Sequence, residues 1–76
     1  MFVYAKEFLL NVCSTECIYL RGKRIDFEYP KKIWCVEFKD REIASAVLQK
    51  ITIAINLNKR EVMTVDCERV MFSEKD

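Results

Sequence analysis

The stretch Arg41–Asn58 places Ile43, Ala44, Val47, Leu48, Ile51, Ala54 and Ile55 at helical spacing. These residues form one apolar stripe, the pattern of an amphipathic helix laid on something else. A single amphipathic helix cannot bury its stripe alone, so the rest of the chain must supply the surface beneath it. A competing reading makes Lys50–Leu57 a strand, because Ile51, Thr52, Ile53 and Ile55 are β-branched. The stripe stays in helical phase from Ile43 through Ile55, and a strand would scatter it over two faces. Helix is the reading adopted.

Capping signals support it. Asp40 is placed to accept a first-turn N–H, and Glu42 adds favourable charge at the N-terminal end. Asn56 or Asn58 can end the helix in a left-handed conformation, and Lys59-Arg60 suit its C-terminal end.

Ahead of the helix the pattern changes to strands. Phe2–Val12 is apolar-rich, with Phe8, Leu10 and Val12 alternating, and reads as a first strand. Cys17–Leu20 follows as a second. The only glycine, Gly22, lies in the basic run Arg21-Gly22-Lys23-Arg24 and predicts a tight turn there. Next comes a half-buried strand with Ile25, Phe27 and Tyr29 on one side and Arg24, Asp26 and Glu28 on the other. Pro30-Lys31-Lys32 closes another turn, since proline cannot donate into a ladder. Ile33–Phe38 returns with Trp34, Val36 and Phe38 on one face. After the helix, Glu61–Phe72 reads as a final strand, and residues 73–76 as a frayed polar tail.

The expected fold is therefore α+β. A small antiparallel sheet of four to five strands carries one helix on one face, in the order β-β-β-β-α-β. The expected core is Leu10, Ile18, Leu20, Ile25, Phe27, Trp34, Val36, Phe38, Val47, Leu48, Ile51, Ile55, Val62 and Val65. Residues 1–76 form a single domain, small enough that its core is modest.

The chain carries little catalytic vocabulary. It has no histidine, and it contains no phosphate loop or hydrolase motif. Asp26, Glu28 and Glu37, like Asp66 and Glu68, fall on polar strand faces, where solvated carboxylates are expected rather than an acid–base pair. Catalysis is not expected.

Cys13 and Cys17 make one short C-x3-C pair, but Cys35 and Cys67 are distant and no histidine completes a ligand set. Free thiols and no cofactor are expected, with a four-thiolate zinc as the alternative. The opening Met1–Glu7 lacks a basic start and meets charge at Lys6, so no secretory leader is expected. No apolar run approaches the ~20 residues that span a bilayer. The expected location is cytoplasmic, where thiols stay reduced.

Two binding surfaces remain. Ala46, Ile53 and Leu57 fall together on the helix, outside the main stripe, and form a candidate protein interface. Arg21, Lys23 and Arg24, with Lys31 and Lys32 at the next turn, form a candidate nucleic-acid patch among the strand aromatics Tyr19, Phe27, Tyr29 and Trp34. A net charge of +1 gives that patch no general support. The expected function is a non-enzymatic, self-associating protein-interaction module. The alternative is a small single-stranded nucleic-acid binder using the turn over residues 21–24 and the strand aromatics.

Overall fold

The computed structural model describes residues 1–58 and 60–75. Its elements are β1 (Phe2–Ala5), β2 (Phe8–Asn11), a 3-10 turn (Val12–Ser14), β3 (Cys17–Arg21), β4 (Arg24–Glu28), β5 (Lys32–Glu37), α1 (Arg41–Asn56), β6 (Val62–Val65) and β7 (Arg69–Glu74). The class is α+β, with the helix between the fifth and sixth strands.

The strands make two sheets. The larger is antiparallel throughout, in the order β3-β4-β5-β7. The smaller has the order β2-β1-β6, with β1 antiparallel to β2 and parallel to β6. Both differ from the expected single sheet at the same kind of place. The run Phe2–Val12 is not one strand but a hairpin, turning at Lys6-Glu7 with Ala5 opposite Phe8. Lys6 takes a left-handed φ of 58° to make that turn. The run Glu61–Phe72 is likewise broken after Val65. Its first half joins β1 and its second half joins β5, so one apparent strand serves two sheets.

The meander β3–β4–β5 forms as its sequence predicts. Gly22 sits in the β3–β4 turn with φ 61°, and a Cβ there would meet nothing within 4 Å. Glycine is therefore used for its backbone conformation and not for space. Asp40 caps α1, its Oδ1 accepting from the Ile43 amide at 2.9 Å. Asn58 ends it with φ 54°, its amide donating to Ile55 O at 3.0 Å. Lys59, the other half of the expected basic end, lies outside the described residues.

The tail differs from expectation. Ser73 and Glu74 belong to β7, and the Lys75 amide donates to Lys31 O at 3.0 Å. The Lys75 side chain lies 3.3 Å from both Glu16 and Glu28, which lift its pKa. Asp76 lies outside the described residues.

The helix packs on β3 and β4. It buries Ala44, Ile51 and Ala54, with Val47 and Leu48 half-buried. One core collects Val3, Ala5 and Leu10 from the small sheet, Ile25, Phe27, Val36 and Phe38 from the large one and its exit, and these helix residues. Ile55 and Val62 do not join it. Ile55 is 48% exposed in the last helical turn, and Val62 is 57% exposed. The reason for Val62 is register. It pairs with Phe2, whose side chain points outward, so alternation sends Val65 inward instead.

Candidate interaction surfaces

Register places the polar groups of the large sheet. Opposed residues share a face, so Leu20, Ile25, Val36 and Val70 make one row, and Ile18, Phe27, Trp34 and Phe72 another, both on the helix side. On the other side lie the rows Arg21, Arg24, Glu37, Arg69 and Tyr19, Asp26, Cys35, Met71.

Asp26 corrects an expectation here. It sits on the face away from the helix, as alternation requires, yet it is only 1% exposed. Its neighbours in the sheet cover it. Arg21 Nε lies 3.4 Å from its Oδ2 and Arg24 Nε 3.5 Å from its Oδ1. The Arg24 contact is an ion pair without hydrogen-bond alignment, and Oδ1 has no hydrogen-bond donor among the described residues. The guanidinium of Arg21 also lies 5.7 Å from the Tyr19 ring centroid.

The other carboxylates of this face are held by cations. Glu37 accepts from Arg69 at 3.1 and 3.5 Å, and Glu28 lies 3.3 Å from Lys75. Asp26, Glu28 and Glu37 are thus each paired with a cation, whereas Asp66 and Glu68 are exposed as expected.

The four cysteines are free and dispersed. Cys13 and Cys17 are exposed, while Cys35 and Cys67 are buried. Among the described residues no three histidine, cysteine or carboxylate side chains gather closely enough to hold a metal ion. Burial pushes the Cys35 thiol up to about 11, with the Asp26 carboxylate beside it adding to the rise. Burial also raises Cys67. Thiolate is the reactive form. Iodoacetamide at pH 8, followed by peptide mass mapping, should therefore label Cys13 and Cys17 first, with Cys35 and Cys67 labelled only on unfolding.

The two basic turns do not form one patch. Arg21, Lys23 and Arg24 surround the β3–β4 turn, and Lys31 and Lys32 the β4–β5 turn. These are opposite ends of β4, roughly 17 Å apart for five residues of strand. Arg21 and Arg24 are drawn to Asp26. Lys31 and Lys32 line a groove of about 650 Å³ between the β4–β5 turn and β2. Two contacts join lining residues of this groove. Tyr29 Oη donates to Asn11 O at 3.1 Å, and the Phe8 and Trp34 rings lie 5.0 Å apart. Trp34 in turn meets Phe72 at 4.9 Å.

Ala46 and Ile53 are exposed on α1 and Leu57 at its C-terminal cap, Ile53 to 57% and Leu57 to 63%. A larger apolar surface lies elsewhere, on the outer face of the small sheet. There Phe2, Tyr4, Leu9 and Val62 are each exposed by more than a third. Phe2 and Val62 also line a groove with Ile55 at the helix C-terminal end. Sequence reasoning missed this surface by treating Phe2–Val12 as one strand. The signal was present: Lys6-Glu7 interrupts an apolar run as a hairpin turn does, and Phe2 and Tyr4 alternate with Val3 and Ala5.

No helix among the described residues is long and apolar enough to cross a membrane. Set against known protein families, curated proteins and solved structures, the chain matches none of them.

Proposed function

We propose that this protein is a non-enzymatic interaction module that self-associates through the outer face of its small sheet. The observation that carries the reading is the patch of Phe2, Tyr4, Leu9 and Val62, exposed on three adjacent strands with no described element over them. Contiguous apolar surface of this kind marks an association site more often than a free surface. A standard interface covers about 800 Å² of each partner. That is a sizeable share of a surface of 5132 Å², so pairing would substantially enlarge the buried area of a small domain. The helix face of Ala46, Ile53 and Leu57 is a second, narrower seam. A cytoplasmic location accompanies this reading, because four unpaired thiols suit a reducing compartment.

The test is the solution mass of three proteins by native mass spectrometry and sedimentation. The wild type should be a dimer or a higher even multiple. Tyr4→Lys should shift it to monomer with an unchanged far-ultraviolet spectrum. If Ile53→Asp does so instead, the seam is the helix face. A monomeric wild type at high concentration refutes self-association.

A further inference from the structure

We propose that the groove between β2 and the β4–β5 turn takes an extended acidic segment of a partner protein, which adds as a strand to β2. This surface is an edge, not the sheet face discussed above, and the inference does not rest on self-association.

The backbone carries the argument. β2 is terminal in its sheet. The two-residue turn pairs Ala5 with Phe8, and the Val12 amide donates to Met1 O at 3.1 Å. Phe8, Leu10 and Val12 thus point their backbone groups at β1, and Leu9 and Asn11 point theirs away. The Tyr29 hydroxyl on Asn11 O occupies one of these outward groups. Leu9 N–H, Leu9 C=O and Asn11 N–H are left facing the groove, with no partner among the described residues.

Edge strands are normally guarded by lysine, proline or a bulge. The β2 sequence Phe-Leu-Leu-Asn has none of these. The guarding residue types stand instead on the opposite wall, as Pro30, Lys31 and Lys32. An incoming strand would meet open hydrogen-bonding groups on one side and cations on the other. Among the described residues, Lys31 and Lys32 are the only charged ones lining the groove, so the complementary segment is acidic. Main-chain bonds would supply affinity, and alternate side chains would supply selectivity.

A single-stranded nucleic acid fits the same cations less well. Base stacking needs an open ring face. Phe8 and Phe72 each pack on Trp34, at interplanar angles of 50° and 54°, so the Trp34 ring is largely spent.

The probe is an end-blocked heptapeptide of alternating valine and glutamate, titrated into the full chain. Emission of Trp34, the single tryptophan, reports occupancy, and NMR amide exchange reports strand addition. Binding should saturate, protect the Leu9 and Asn11 amides, and weaken about tenfold in the Lys31→Glu/Lys32→Glu double variant, whose exposed positions leave the fold intact. The lysine-for-glutamate peptide should not bind. Absence of saturation at millimolar peptide overturns the proposal. So does binding that leaves both amides unprotected, or oligothymidylate binding with steep salt dependence in place of the peptide. Protein mass recorded in the same solutions separates any of these results from the fate of self-association.

Discussion

Phe27→Ala should lower the melting midpoint by at least ~12 °C, while Phe72→Ala should lower it by only a few degrees. The two deletions remove the same atoms and differ in burial. Phe27 is 1% exposed on β4, between Ile18 and Trp34 in register, on the face the helix covers. Phe72 is 48% exposed on β7 and touches Trp34 in a tilted contact. Removing a buried phenylalanine costs about 3–5 kcal/mol, through lost transfer energy and the cavity left behind. An exposed aromatic pair is worth about 0.5–1.5 kcal/mol. For a domain of this length each kcal/mol moves the midpoint by roughly 4–8 °C. The first loss is comparable to the whole stability of a small domain, often about 5 kcal/mol, so Phe27→Ala should be partly unfolded at 37 °C. Circular dichroism melts of the two variants check this. Equal losses would mean that the helix does not seal the β4 face.

The same contrast shows which parts of the fold were legible in the sequence. Wherever a local pattern and its chemistry coincide, the reading held. Asp40 caps the helix, Gly22 makes the β3–β4 turn, and Ile25 and Phe27 alternate with Arg24 and Glu28. The divided runs were harder. Nothing local says that Val65 and Arg69 belong to different sheets, because that choice depends on pairing with β1 and β5, both far away in sequence.

Ile55 illustrates a second limit. Periodicity places it on the stripe, but in the last turn Ala54 takes the buried position and Ile55 opens onto a groove. The surfaces proposed for binding follow the same rule. Exposure of Ile53 and Leu57 could be read from the helical wheel, and the alternation of Phe2 and Tyr4 with Val3 and Ala5 was equally legible, whereas which of those two faces stays open depends on where the small sheet meets the core. The groove beside β2 required more still, since Lys31 and Leu9 meet only through the tertiary fold.

Asp26 is the clearest case of a residue whose sequence position misleads, and its energetics should be asymmetric. The double variant Arg21→Met/Arg24→Met should destabilise the fold by about 3–5 kcal/mol, because it leaves a buried carboxylate without its cations. Asp26→Val alone should cost within about 1 kcal/mol, for three reasons. The side chains of Arg21 and Arg24 are 59% and 31% exposed, so both can rehydrate once released. Oδ1 already lacks a hydrogen-bond donor, so little favourable bonding is lost. A β-branched residue also suits a covered central-strand position. Adding Asp26→Val to the double variant should therefore restore most of the lost stability, a coupling that independent surface charges would not show. Urea unfolding of the wild type and the three variants measures it. If the double variant were as stable as the wild type, the arginines would not be what permits Asp26 to stay buried. If Asp26→Val were as damaging as the double variant, the carboxylate would be a stabilising partner in its own right, and the large sheet would owe its order to that ion pair.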